Sequence, residues 1–459
     1  MQKKPNIVHL ISHDMGRYLG CYGRRVATPN YDRIAGLGIR FSNYFCTAAS
    51  CSPSRGSIST GLYPHNNGLI GLGHIGWRVR RDVKMMPDYL NELGYETCLI
   101  GGHHEPRELD GPAADKGTLE GRTAIAKGLG YKHFIDTADL TPIPKYNYIG
   151  ACYEKLEQHI DGFIEKDAPF FINIGTPGAH RAYTDNRYGI LFDPDDPDRV
   201  EIPPYMPDRR GIRQDLAYLH GFVKREDEYV GKIFELLEEK GLLDNTLFVL
   251  TTDHGIAMPR AKGMCYDPGL GTFLIMYMKG RFEGGQVYDE LLSNVDLLPT
   301  YVALAGGEPP ADIDGRSFLP LMDGRDYEKR ADIFAELTYH DEYNPMRSVR
   351  TERHKYVRNF GRRPRVYLPL DVYSGAAGSE TMKDCYYYTR AAEELYDLAV
   401  DPWEQRNLAA DPAHEEPLLA LRGRVQEWME RTDDPLLKGD VPPTEEQRHR
   451  QETTGYYNG

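Results

Sequence analysis

The 459-residue chain lacks several things that would assign it a class at once. It has no CxxC pair, and its seven cysteines (21, 46, 51, 98, 152, 265 and 385) are scattered and odd in number. Neither a disulfide framework nor a zinc ribbon follows from that spacing. No apolar run approaches the length needed to span a bilayer. The chain opens MQKKPNIVHLIS, so the first strand leaves no room for an apolar signal segment ahead of it. For the chain as it stands, the expectation is a cytoplasmic enzyme with reduced thiols and no membrane contact. Excess positive charge is also missing: the formal charge is −14, which argues against a nucleic-acid surface. An anionic substrate stays open, because a local cationic pocket or a metal overrides the global field.

What is present is an ordinary globular composition, 40% hydrophobic and 27% charged, enough for one large domain and a smaller one. NIVHLIS (6–12), ETCLIGG (96–102), PFFINIG (169–175), TLFVLTTD (246–253) and GTFLIMYM (271–278) read as buried strands. Helical patterns lie between them at Pro29–Gly38, Met86–Leu93, Asp215–Lys240 and Tyr288–Ala305. Apolar strands without alternation, separated by helices, predict an α/β fold with a mainly parallel central sheet covered on both faces. From about residue 336 the pattern changes to a smaller α+β unit with a short antiparallel sheet, built from 346–360 and 394–412, with Arg422–Arg431 as a closing helix. The expected division is therefore 1–335 and 336–459, with a polar surface tail from about residue 433.

Ligands of such sheets sit at the carboxyl ends of the strands. Four predicted strand ends carry His13-Asp14, His103-His104, His180-Arg181 and Asp253-His254. A carboxylate and an imidazole at each of two strand ends, which can converge, suit one divalent ion; the bland alternative is a capping acid with a packed histidine. His180 is a candidate proton donor, although a loop histidine is more often simply solvated, as holds for His103 and His104; Lys262 is a candidate anion clamp and equally at home as a solvated lysine. GLGHIG (71–76) matches GxGxxG but follows no strand, so its glycines are read as a close turn, with His74 able to face a site. DCYYYTR (384–390) is read as a half-buried strand rather than a sugar-stacking platform.

SCSPSRGSISTG (50–61) places Cys51 in an unusually polar setting. Pro53 pre-sets the first turn of a helix, so Cys51 stands near a helix N-terminus with Arg55 one turn on. An anion is stabilised there, either a thiolate or an oxygen nucleophile beside a cation.

CSPSR followed by Thr60-Gly61 resembles the sulfatase signature CxPSR…TG, and TPNYDRIAGLGIRFSNYF (28–45), GLYPHNNG (61–68), Asp253-His254-Gly255, VDLLPT (295–300) and ELYDLAVDPWEQRNLAADP (394–412) are similar to further sulfatase segments. NPMRSV (344–349) and YYYTRAAEELYD (386–397) are similar to the N-sulfoglucosamine sulfohydrolase (sulfamidase) subgroup. The resemblance implies an alkaline-phosphatase-like α/β/α sandwich. It also implies that a formylglycine-generating enzyme oxidises Cys51, and that the aldehyde hydrate attacks the sulfur of a small sulfated substrate. By position it implies that Asp14, Asp253, His254, the oxygen of modified Cys51 and, in the slot of a usual aspartate, His13 hold one divalent ion, calcium or manganese. Arg55 would hold the formylglycine hydroxyl, His104 and His180 would contact the sulfate or leaving group, and Lys262 would be the distal cation. Two departures stand out: His13 replaces the first of two aspartates, and Gly102 replaces a sulfate-binding lysine. Phosphonate monoester hydrolases and phosphodiesterases of the same superfamily are therefore the alternative, with a phosphorylated substrate, and a homo-oligomer is left open.

Overall fold

The computed structural model describes residues 3–108, 117–138, 148–183 and 193–454. Eight strands form one sheet in the order His133–Ile135, Glu96–Gly101, Phe170–Gly175, Asn6–Ser12, Thr246–Thr252, Leu274–Tyr277, Ile39–Phe41, Gln286–Tyr288. The strands from His133–Ile135 to Thr246–Thr252 all run parallel, and Leu274–Tyr277 is antiparallel to both of its neighbours.

Alternate residues of the central strands enter separate cores on the two faces. Val8, Leu10, Ile172, Ile174, Phe248 and Leu250 pack with the helices Tyr148–Ile164 and Arg210–Glu239. Ile7, Ile11, Phe171, Leu247 and Val249 pack with Met86–Glu92 and Leu297–Leu304. Burial on both faces is why these strands read as continuous apolar runs.

The helix expected from Asp215 begins earlier, at Arg210, because the buried stripe Ile212, Leu216, Leu219, Val223 starts there. The expected helix over 288–305 is corrected. Gln286–Tyr288 is an edge strand, Leu292–Ser293 pairs with Tyr44–Phe45, and the helix runs only from Leu297 to Leu304. Its entry is fixed by the Asp296 carboxylate, which accepts from the Ser293 amide (3.0 Å) and pairs with Arg330.

Asp332–Tyr339, Tyr343–Thr351, His354–Asn359 and Glu393–Asp397 form an antiparallel four-stranded sheet in that order. Trp428 of the helix Glu415–Arg431 stacks on Phe334 of that sheet, with ring centroids 4.9 Å apart. The tyrosine-rich segment is a correction to the expected strand: it closes the helix Ala376–Tyr386, whose Ala377, Thr381 and Cys385 face inward, and Tyr387 and Tyr388 stand 79% and 59% exposed.

The segment after Asp433, expected as a surface tail or arm, lies on the surface and is pinned to the body through a few buried residues; residues 455–459 lie outside those described. Asp434 is buried against Arg347 (Nη2 to Oδ1, 2.9 Å). Arg347 also meets Glu336 at 3.2 Å, and Glu336 accepts from His65 at 2.7 Å. This buried network ties the GLYPHNNG and NPMRSV segments together. The helix Glu445–Thr454 docks on the GLGHIG loop, where Thr444 Oγ1 donates to the Ile75 carbonyl (2.6 Å) and Trp77 Nε1 to Gln447 (3.2 Å).

Candidate active site

The strands Glu96–Gly101, Phe170–Gly175, Asn6–Ser12 and Thr246–Thr252 are consecutive neighbours, so their carboxyl ends deliver one layer of polar side chains. The backbone locks the layer. The Ala179 amide donates to the His13 carbonyl (3.0 Å), the Gly16 amide to the His254 carbonyl (2.9 Å), and the Asp14 amide to Asp253 Oδ1 (3.0 Å). Asp14 takes the left-handed region at φ +56°, uncommon for a side-chain-bearing residue and held by these bonds. A side chain at Gly178 would strike the His13 backbone amide at 2.7 Å, so the close approach of the two strand ends demands glycine there.

The signature segment forms the helix Cys51–Thr60, which starts after an extended Ser50 and ends at Gly61, φ +68°. Its polar residues are stitches. Ser54 Oγ donates to the Asp253 carbonyl, Asn294 Nδ2 donates to Ser54 Oγ (3.0 Å), and the Gly73 amide donates to Ser52 Oγ (2.9 Å). The GLGHIG glycines serve close packing: a side chain at Gly71 would meet Trp77, and one at Gly73 would meet Pro106, each at 2.4 Å. His74 is exposed and lies 2.9 Å from Arg450 Nη1.

The nine site residues that the family resemblance implies all fall in this region, whereas Arg181 turns away to Asp215 and the Ala257 carbonyl. One donor atom from each of His13, Asp14, Cys51, Asp253 and His254 lies within 4.8 Å of the others, and all five residues are buried. His254 Nε2 is 3.0 Å from Asp14 Oδ1 and 3.3 Å from Cys51 Sγ. His13 Nδ1 is 2.9 Å from Asp14 Oδ1 and 3.4 Å from Asp253 Oδ2. The rings of His104 and His180 pack on His13 at 4.8 and 4.7 Å. Lys262 Nζ reaches Asp14 Oδ2 at 2.8 Å. Arg55 donates to Asp253 Oδ2 (Nε, 3.0 Å) and to the Ser12 carbonyl (Nη2, 2.9 Å), so its hydrogen bonds brace a strand end beside position 51.

The electrostatics follow from this crowding. Burial alone would raise the Cys51 thiol, but Lys262, His13 and His254 bring it well below the usual thiol range. Burial opposes charge on His13 too, yet Asp253, Cys51 and Asp14 lift it to about 9, and the same acids hold His254 well above normal. Burial, then the His13 cation, holds His104 well below normal; burial, then Lys262, holds His180 near 4. Position 51 thus sits in a field built for an anion, and the two imidazoles that pack on His13 are neutral.

The same residues fit a divalent ion. Two carboxylates draw two imidazoles toward the charged form, which is the field that attracts a metal cation when those protons leave. His13 Nε2 is buried and makes no hydrogen bond, so a ligating nitrogen is spare.

Sequence reasoning missed two neighbours. Asp371, on the four-residue helix Leu370–Tyr373, takes the other face of Lys262 (2.7 Å to Nζ). His340-Asp341 follows the strand Asp332–Tyr339, and the His340 ring lies within interaction range of the Cys51 side chain. A His-Asp pair at a strand end was a legible signal there, as it was at His13-Asp14, but the antiparallel sheet gave no rule for where it points.

The family model named Sulfatase matches residues 5–307. The chain belongs to the sulfatase family. A second model, N-sulphoglucosamine sulphohydrolase, C-terminal, matches residues 258–372 of this sulfatase. The sulfatase is 30% identical to an ulvan-active sulfatase of Formosa agariphila over 96% of its own chain and 83% of that one. It is 29% identical to human N-sulphoglucosamine sulphohydrolase over 94% and 91% of the two chains. In fold it is similar to the phosphonate monoester hydrolase of Agrobacterium radiobacter, with TM-score 0.74 over 93% and 96% of the chains, at 18% identity. The mainly parallel sheet between helices and the smaller antiparallel sheet are thus the alkaline-phosphatase-like architecture expected. The sulfatase is a hydrolase of sulfuric esters or sulfamates, with the dependence on formylglycine and a metal that is general to its family. No helix among its described residues is long and apolar enough to cross a membrane.

The two departures also have a structural reading. His13 occupies the centre of the cluster. At Gly102, an added Cβ would meet only the Gly175 carbonyl oxygen, at 3.7 Å, so packing does not impose the glycine.

Proposed function

We propose that this sulfatase removes sulfate from a sulfated or N-sulfated sugar, using formylglycine made from Cys51 by a formylglycine-generating enzyme. The observation that carries the reading is the convergence of His13, Asp14, Cys51, Asp253 and His254 at one buried point. The sugar preference draws on the match of the sulphohydrolase C-terminal model and on the ulvan- and sulphoglucosamine-named relatives.

Asp14, Asp253 and His254, with His13 and the oxygen on residue 51, would hold one divalent ion. Calcium and manganese are the candidates, and imidazole donors favour manganese. When bound, the ion supplies charge that stabilises the sulfuryl oxygens. The chain's own groups do the rest. Lys262 adds positive charge on the same side, and Asp371 fixes its ammonium. Arg55 holds Asp253 in place. His104 donates toward the sulfuryl group. His180 is neutral in the substrate-free site; an anionic sulfate beside it offsets the field of Lys262 and lets it hold the proton that the leaving oxygen or nitrogen takes. The seven unpaired cysteines support a reducing compartment.

The test is a substrate panel on protein from the native host, with metal analysis of the same sample. Release of sulfate from N-sulfated or O-sulfated sugars, faster than cleavage of an aryl phosphonate, is expected. Phosphonate cleavage without sulfate release would contradict the reading.

A further inference from the structure

One buried imidazole outside those nine residues, His340, lies beside position 51. His340 is only 4% exposed, and it arrives from the C-terminal sheet rather than from the strand ends of the large one. Its Nδ1 lies 2.9 Å from Asp341 Oδ2, and that oxygen also accepts from the Leu370 amide at 2.7 Å. Asp341 Oδ1 lies 3.4 Å from Arg450 Nη2, and the Asp341 carbonyl accepts from Gln447 Nε2. Both partners belong to the helix Glu445–Thr454. The ring plane of His340 is therefore set by a carboxylate that is itself held from two sides.

The other ring nitrogen is the informative one. His340 Nε2 is buried and completes no hydrogen bond, while the imidazole lies within interaction range of the Cys51 side chain. An unpaired buried nitrogen lowers stability, and His9 and His65 also leave Nε2 unpaired, so it is the approach to Cys51 that sets His340 apart. At His340 that nitrogen gains a partner when the neighbouring residue 51 acquires hydroxyl oxygens.

We propose that His340 is a contact residue of the active site that hydrogen-bonds a hydroxyl of the aldehyde hydrate on matured residue 51, with Asp341 and the C-terminal helix as its positioning apparatus. The contact makes and breaks no covalent bond. It favours hydrate over free aldehyde and leaves the second hydroxyl aimed at the substrate. It rests on the formylglycine reading above. The C-terminal arm is then coupled to the nucleophile through Gln447, Arg450, Asp341 and His340 in turn.

The test compares H340A, H340Q and D341N with the parent protein. Conversion of residue 51 is verified by peptide mass, and folding by thermal melting. Two readouts are taken: kcat and KM on an aryl sulfate, and the rate at which hydroxylamine captures the free aldehyde. H340A should lower kcat about 100-fold with KM within about threefold, and should speed aldehyde capture because the hydrate is less favoured. H340Q, whose amide reaches toward the Nε2 position, should recover about tenfold of the loss, and D341N should fall between H340Q and H340A. Folded, converted H340A with parental kcat and parental capture rate would overturn the proposal, as would H340Q as impaired as H340A. Changed capture rates in a parent that releases no sulfate would sustain the His340 contact while removing the sulfatase reading of this site.

Discussion

Arg55 Nε sits 3.0 Å from Asp253 Oδ2, and both side chains are sealed from solvent. The arginine of the signature helix and the acid at the end of the strand Thr246–Thr252 are thus one unit. The Ser12 carbonyl, which Arg55 Nη2 also serves at 2.9 Å, adds the neighbouring strand to it. One guanidinium fork spans two strand ends, a task that a point charge cannot share.

Removing that fork exposes the unit. R55A should destabilise the fold by about 3–5 kcal/mol, since it strands a buried carboxylate. R55K should fall between R55A and the parent. Adding manganese or calcium should recover part of the loss, because a divalent ion offers Asp253 another cation. Thermal melts with and without each ion check this; an R55A melt equal to the parent's would remove the bracing role.

Cys51→Ala separates chemistry from folding. The side chain is small and 3% exposed, so the melting midpoint should move by no more than about 3 °C. Turnover should fall by at least about 1000-fold, because no aldehyde can form. Residual rates near the parent's would show that residue 51 is not the nucleophile.

Glu226 gives a pH signature. It is buried beneath the site, accepting from Ser12 Oγ (2.8 Å) and Thr176 Oγ1 (2.6 Å), and burial pushes its carboxyl up to about 7. The folded protein keeps that proton up to about pH 7, whereas the unfolded chain releases it near its ordinary value of 4.5. Stability should therefore fall as pH rises through that window, by about 3 kcal/mol in all from this group. E226Q should flatten the slope and raise stability at pH 8. Denaturant midpoints at several pH values measure it, and an unchanged slope in E226Q would contradict the assignment.

Arg347 tests the joint between the sheets. Its fork meets Asp434 and Glu336, both buried, and Glu336 binds His65. R347M should cost about 3–5 kcal/mol and release the segment after Asp433 to limited proteolysis, well before the large sheet is cut. Simultaneous cleavage throughout would show that the network does not anchor the arm.

Much of this was legible in the sequence because the chemistry is local to strand ends. Asn6–Ser12 and Thr246–Thr252 announce themselves as apolar runs, and the residues that follow each must then lie at one edge. The CSPSR helix could be placed from its proline alone. What could not be read was contact set by the packing of remote elements. Asp371 comes from a four-residue helix with no periodicity, and His340 from an antiparallel sheet whose orientation depends on how it docks. Tyr387 and Tyr388 misled for a related reason: tyrosine suits a half-buried strand, but the preceding helix is fixed by Ala377, Thr381 and Cys385.

The most direct measurement pairs peptide mass analysis of residue 51 with sulfate release from an N-sulfated sugar, on the same samples from the native host. The account predicts that Cys51 is converted to the lighter formylglycine, and that sulfate release rises in proportion to the converted fraction. A fully converted protein that releases no sulfate, or one that releases sulfate with Cys51 still a thiol, would contradict it.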